Sequence, residues 1–373
     1  MEPRSRRRGS CRPLVSPFLR DPASGRVYKR GKLIGKGAFS RCYKLTDLST
    51  SSVFALKVVP RRGAGAGGLR PCGKVEREIA LHSRLRHHNI VAFHGHFADR
   101  DHVYMVLEYC SRQSLAHVLE ARRTLTEPEV RYYLRGLVSG LRYLHQQHIV
   151  HRDLKLSNFF LKKNMEVKIG DLGLAAKVGP GGRCHRVLCG TPNFLAPEVV
   201  SRNGHSCQSD IWALGCVTYL VLTGSPPFMA APLSEMYENI LASRYPEPTH
   251  LSPNACRLIA RLLAPNPAER PSLDHLLQDD FFTQAPILPM RPRVQEKMVQ
   301  TLTSWSWALR LPYQREGLPS LRSQSTYSTK GPSRVTQLGL RGAQCRRWKR
   351  PLETCSSAWT LGLQDLIQHP TRH

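Results

Sequence analysis

No serine, threonine or tyrosine occurs between Asp171 and Gly190, so that stretch offers no hydroxyl for a phosphate ester. Acidic residues are scarce as well: 27 Asp and Glu stand against 55 Lys and Arg, a net charge of +28. Such an excess ordinarily points to nucleic acid or anionic membranes. However, the chain lacks the interleaved aromatic and basic residues of an RNA-binding module, which argues against a dedicated nucleic-acid partner. The excess also gathers in the flanks, with 9 basic and 2 acidic side chains in residues 1–30 and 14 and 4 in residues 283–373. The longest apolar run, Ile211 to Leu222, is too short to span a bilayer and reads as a buried core helix. An apolar signal segment is missing from the N-terminus. The 11 cysteines include no Cys-x-x-Cys pair and no Cys/His cluster at zinc spacing. That argues against a zinc site or a disulfide framework and fits reduced, intracellular thiols.

Chemistry enters at His151-Arg152-Asp153-Leu154-Lys155-Leu156-Ser157-Asn158, followed by a short hairpin and Asp171-Leu172-Gly173. Carboxylate and carboxamide oxygens are hard donors suited to magnesium, and the lysine adds positive charge. A lone His-Arg-Asp would be weak evidence, since it occurs as readily in a solvated turn. Its companions, in order, strengthen it. Arg30 to Ile34 and Arg41 to Leu45 read as strands joined by Gly35-Lys36-Gly37-Ala38-Phe39-Ser40, whose amides would cover phosphates. Val53 to Val59 alternates as a buried strand and carries Lys57. Lys74 to Leu85 reads as a helix on which Glu78, spaced with Ile79, His82 and Leu85, borders the apolar stripe, whereas Glu76 falls off it.

Ala92 to Phe97 and Val103 to Leu107 read as strands, the second running into Leu107-Glu108-Tyr109-Cys110. Ser114 to Ala121 and Glu127 to His145 read as helices, with Pro128 at a start where its missing donor costs nothing. Farther on come Gly190-Thr191-Pro192-Asn193-Phe194-Leu195-Ala196-Pro197-Glu198 and Asn266-Pro267-Ala268-Glu269-Arg270-Pro271.

In this order the motifs of residues 28–282 resemble a protein kinase. Longer phrases resemble the polo-like kinases: Gly35-Lys36-Gly37-Ala38-Phe39-Ser40-Arg41-Cys42-Tyr43, Cys110 to His117, Glu127 to Leu134, and Leu156-Ser157-Asn158-Phe159-Phe160. The nearest branch is that of the second, third and fifth members, with the fifth the best match. The resemblance implies an α+β, bilobal fold, a small antiparallel β lobe above a larger helical lobe, with ATP and Mg2+ in the cleft. By the same resemblance, Asp153 would accept the proton of a substrate hydroxyl and Lys155 would neutralise the γ-phosphoryl. Asn158 and Asp171 would hold magnesium. Lys57, held by Glu78, would meet the α- and β-phosphates. Ile34, Gly35, Lys36, Gly37, Ala38, Phe39, Ser40, Cys42 and Ala55 would enclose the nucleotide, and the backbone of Leu107, Glu108 and Cys110 would meet adenine. Glu198 would pair with Arg270, and Asp210 would brace the catalytic loop.

Three departures from the family pattern matter. Residues 283–373 are too few for tandem polo boxes, so a basic, disordered tail is expected, as a truncated or spliced product would have. Residues 1–27 are expected to be a disordered basic arm. Val187 stands where family members carry the activating threonine, with Arg183, His185 and Arg186 adding positive charge nearby. Leu172 replaces the usual Phe and keeps an apolar plug. The expectation is therefore a monomeric serine/threonine kinase, acting on protein Ser/Thr in acidic context, with low or phosphorylation-independent activity. The alternative is a weakly catalytic, kinase-shaped scaffold. Nucleus and cytoplasm are the expected locations, with Arg346-Arg347-Trp348-Lys349-Arg350 the best import candidate.

Overall fold

The computed structural model describes residues 15–61, 73–179 and 187–284. Its first lobe is a six-stranded antiparallel sheet in the order β1-β2-β3-β4-β6-β5. The strands are β1 (Phe18–Arg20), β2 (Val27–Lys36), β3 (Arg41–Asp47), β4 (Val53–Pro60), β5 (Phe93–Ala98) and β6 (His102–Glu108), with helix α1 (Gly73–His82) between β4 and β5. Alternation along β3 puts Tyr43, Leu45 and Asp47 inside. Tyr43 and Leu45 join Leu19, Tyr28, Leu56, Val58, Phe97, Tyr104 and Val106 in one core. A second cluster, Val59, Phe93 and Met105, receives Val75 and Ile79 from α1.

The expected disordered arm over 1–27 is corrected for residues 15–27. Phe18, Leu19 and Arg20 pair with Lys29, Tyr28 and Val27, and Leu19 is buried in the core. A three-residue strand is too short to show a period in sequence. Its order comes from the neighbour it pairs with, and the Arg30 side chain adds a bond to Ser16 O at 3.1 Å. Leu19→Ala should lower the unfolding free energy by about 2 kcal/mol, the scale of a buried leucine truncation. A denaturant midpoint equal to the wild type's would show that β1 adds nothing.

The second lobe holds α2 (Leu115–Arg122), α3 (Glu127–Gln146), α4 (Pro197–Val200), α5 (Cys207–Thr223), α6 (Leu233–Leu241), α7 (Pro253–Leu262), α8 (Leu273–Leu276) and α9 (Asp280–Thr283). Helix α3 opens on a capping box, with Thr126 and Glu129 satisfying each other's amides. Ser209 to Leu222 of α5 are all buried, as an all-round apolar helix must be. Its axis is pinned by Arg270, whose guanidinium meets both Glu198 oxygens at 2.7 and 2.8 Å and Gln208 O at 2.9 Å.

Two ribbons set the cleft. Strands β7 (Ile149–Val150) and β10 (Ala176–Lys177) pair, as do β8 (Phe159–Leu161) and β9 (Val167–Ile169). His151 leaves β7, Asn158 enters β8, and Asp171 follows β9 after one glycine, so all three converge. Among the described residues no helix is long and apolar enough to cross a membrane.

Candidate active site

Register brings the expected nucleotide-binding residues onto one face of the sheet. Gly35 pairs with Cys42, Cys42 with Lys57, Lys44 with Ala55, and Ala55 with Leu107. Opposed residues of a ladder share a face. Ile34, Gly35 and Lys36 end β2, and the turn Gly37 to Ser40 closes through the Gly37 amide on Ser40 O at 2.9 Å. Burial pushes the Cys42 thiol up to about 11, so it serves as an apolar wall. At the linker between lobes, the Glu108 amide donates to Ala92 O at 2.9 Å.

Lys57 Nζ lies 2.6 Å from Glu78 Oε1 and 2.7 Å from Asp171 Oδ1. Glu78 is thus the partner, and Glu76 sits on the exposed side of α1. Burial alone would lower the Lys57 pKa, but Asp171 and Glu78 hold it above the ordinary lysine value. Lys57 in turn draws Asp171 down to about 2. Glu78, more enclosed, is pushed up by burial against the opposing pull of Lys57.

The catalytic loop hangs from Asp210, a buried carboxylate at the start of α5. Its Oδ2 accepts the His151 amide at 2.8 Å, and its Oδ1 accepts the Arg152 amide at 3.0 Å. Its third contact is His145 Nε2 at 3.0 Å. Burial alone would lower the His145 pKa, but bonds to Asp210 and the Cys207 thiol raise it to about 9. Arg152 and Asp171 hold left-handed φ values of 68° and 57°. For non-glycine residues such values mark constrained sites. Gly190, at φ 110°, lies so close that a Cβ there would meet Arg152 O at 2.7 Å.

Asp153 Oδ2 lies 2.8 Å from Lys155 Nζ, and Asp153 Oδ1 accepts the Thr191 hydroxyl at 2.7 Å. Lys155 also donates to Thr191 Oγ1 at 3.1 Å. Thr191, which the sequence offered only as part of a motif with no role of its own, joins this cluster. Its hydroxyl occupies one carboxylate oxygen of Asp153, and its only sequence signal is a Gly-Thr-Pro step after the stretch without hydroxyls. Asn158 Nδ2 donates to Asp153 O at 2.8 Å, and the Gly170 amide donates to Asn158 O at 2.9 Å, so a carboxamide oxygen and the Asp171 carboxylate stand on adjoining segments. That donor set fits magnesium.

Val187 is 61% exposed, and Arg152 Nε donates to Leu174 O at 2.5 Å. Arg183, His185 and Arg186 lie outside the described residues, as does the tail beyond Gln284. Leu172 is buried beside this site, as expected of an apolar plug.

Residues 28–282 match the protein kinase domain family. Over 284 residues, 76% of this chain, the sequence is 85% identical to the mouse (Mus musculus) inactive serine/threonine-protein kinase PLK5. It is 51% identical to mouse serine/threonine-protein kinase PLK2 over 73% of the chain, and 47% identical to Xenopus laevis serine/threonine-protein kinase PLK1 over 72%. The aligned regions span 47%, 40% and 45% of those relatives, so the chain covers less than half of each.

Proposed function

The chain belongs to the protein kinase family, in its polo-like branch, and from that premise we propose that residues 28–282 bind ATP with magnesium and phosphorylate protein serine or threonine. The observation that carries the proposal is the single assembled constellation of Lys57, Glu78 and Asp171 on one side and Asp153, Lys155 and Thr191 on the other. Asp153 would take the proton from the attacking hydroxyl as its oxygen bonds to the γ-phosphorus. Lys155, 2.8 Å from Asp153, would hold the phosphoryl oxygens in line. Lys57 would hold the α- and β-phosphates while Glu78 fixes its direction. Asn158 and Asp171 would hold magnesium, which supplies charge neutralisation on the phosphates.

A second reading has its own support, because the mouse relative at 85% identity is named inactive. In that reading the cleft binds nucleotide but turns over negligibly, and the domain serves as a scaffold. Incorporation of labelled phosphate into casein, with Asp153→Asn as background, separates the two. Incorporation well above background supports the enzyme; background incorporation together with a nucleotide-induced rise in melting temperature supports the scaffold.

Regulation would depart from phosphorylation at the activation segment, which has no hydroxyl from residue 172 to residue 189. Val187→Asp adds one negative charge to the activation segment and should raise incorporation severalfold if a minor ordered population limits turnover. Val187→Thr with a co-expressed activating kinase should exceed it, because phosphate brings more charge and acceptors. Equal rates for wild type and both variants would rule out loop order as the limit.

A further inference from the structure

Phosphoryl transfer leaves one carboxylate at the joint between the lobes without a task. Glu108, the last residue of β6, accepts the Ala92 amide on Oε2 at 3.1 Å. The same oxygen lies 3.0 Å from Lys168 Nζ, and Oε1 lies 3.2 Å from Lys162 Nζ. Lys168, its side chain only 6% exposed, also donates to His88 O at 2.6 Å. Burial alone would raise the Glu108 pKa, but Lys168, the Ala92 amide and Lys162 hold it below the ordinary glutamate value.

The lysine partners of Glu108 belong to the β8–β9 ribbon, Lys168 within β9 and Lys162 directly after β8, while Ala92 borders β5 of the sheet. Loop 87–92 is fastened to β9 by the Ile169 amide on Asn89 O at 2.7 Å and the Val91 amide on Ile169 O at 2.9 Å. Asn89 Nδ2 adds a bond to Val167 O at 2.9 Å. The loop lies flush on α3, since a Cβ at Gly140 would meet Asn89 O at 2.9 Å. Glu108, by contrast, is held in the sheet of the first lobe by its pairing with Phe54 on β4. Lys168 stands three residues before Asp171. One carboxylate therefore ties the sheet lobe to the strand that presents Asp171.

We propose that Glu108, Lys168 and Lys162 form a strap across the interlobe joint that fixes the opening of the nucleotide cleft and holds Asp171 against Lys57. They are positioning residues, acting through the linker backbone and through β9. For fold stability alone, two apolar side chains of similar size would serve as well or better than a buried ion pair. A pair that crosses a joint does something apolar contacts do not, because its directional bonds favour one relative placement of the parts it joins. The inference rests on the nucleotide-binding reading above only for its functional consequence.

The test uses the full chain without nucleotide, comparing amide hydrogen exchange of wild type, Glu108→Gln, Lys168→Met, Lys162→Met and the double variant Glu108→Gln/Lys168→Met. Glu108→Gln and Lys168→Met should each exchange about tenfold faster at residues 107–112 and also at 169–173, the scale of a coupled pair. Lys162→Met, which alters a half-exposed side chain and so keeps the fold, should show a smaller rise at both segments. The double variant should regain melting temperature, because no charge is left buried alone, yet keep the fast exchange at both segments. A merely structural pair would lose the fast exchange along with the instability. With magnesium and a non-hydrolysable ATP analogue, the rise in melting temperature should fall below half the wild-type value in Glu108→Gln and in the double variant. If wild type shows no rise while both segments loosen as described, the nucleotide reading fails and the strap stands. Unchanged exchange at 169–173 in Glu108→Gln and Lys162→Met overturns the strap.

Discussion

Lys57→Met should abolish the rise in melting temperature that magnesium and ATP are expected to give the wild type. A ligand that binds only the folded state at 100 times its dissociation constant adds about 2.7 kcal/mol. For a domain of this size that corresponds to roughly 5–10 °C. Lys57 is the cation on the nucleotide-binding face that both Glu78 and Asp171 approach within 2.7 Å. Without it the phosphates would face two carboxylates and gain nothing. The variant should also be less stable without nucleotide, by about 3 kcal/mol, near the low end for breaking a buried pair, since half-exposed Asp171 can recover hydration.

The sign of the pH dependence follows from Glu78. Burial already raises its folded pKa, and losing Lys57 raises it further. Its stabilising contribution is then present below the unfolded glutamate value and lost as pH rises through the raised one. The Lys57→Met deficit should therefore shrink in acid. A Lys57→Met protein that keeps a wild-type nucleotide shift would remove Lys57 from the site and leave the phosphates to other groups.

What could be read in the sequence, and what could not, divides along physical lines. The catalytic loop, the glycine turn, Lys57 and the choice of Glu78 over Glu76 were legible because each is a local pattern whose spacing fixes a face or a turn. The Glu198–Arg270 pair and the bracing by Asp210 came from resemblance and appear with bonds of 2.7 to 3.0 Å. Strand β1 was not legible, since three residues have no period. Neither were Thr191 and the Glu108 strap. Thr191 meets Asp153 across 38 residues of chain, and Lys168 meets Glu108 across 60. Contacts of that separation are set by the packing of elements, which no window of sequence contains.

Wild-type stability should fall by roughly 2–3 kcal/mol between pH 7 and pH 10 through His145 alone, as it loses a proton that Asp210 holds in the folded protein. The folded pKa of about 9 lies above the ordinary 6.5. The contribution is therefore fully present below pH 6.5 and lost as pH rises through 9. Its source is local: His145 faces Asp210 and the Cys207 thiol, both on α5, and Asp210 also faces His151. The buried His82 works in the opposite sense, because burial lowers it to about 4. Its contribution is present above 6.5 and lost on acidification, so it does not obscure the window above pH 7.

Asp210→Asn isolates the effect. It removes the charge that keeps His145 protonated and weakens the acceptor of the His151 and Arg152 amides, at a cost of about 3–5 kcal/mol at pH 7. The gap between wild type and variant should narrow steadily from pH 7 to pH 10, as wild type loses a term the variant never had. Faster hydrogen exchange of the His151 and Arg152 amides at pH 7 should accompany it, because those amides hang from Asp210 at 2.8 and 3.0 Å. Parallel stability curves from pH 7 to pH 10 would mean that His145 is neutral in the folded protein and that Asp210 holds the catalytic loop by hydrogen bonding alone.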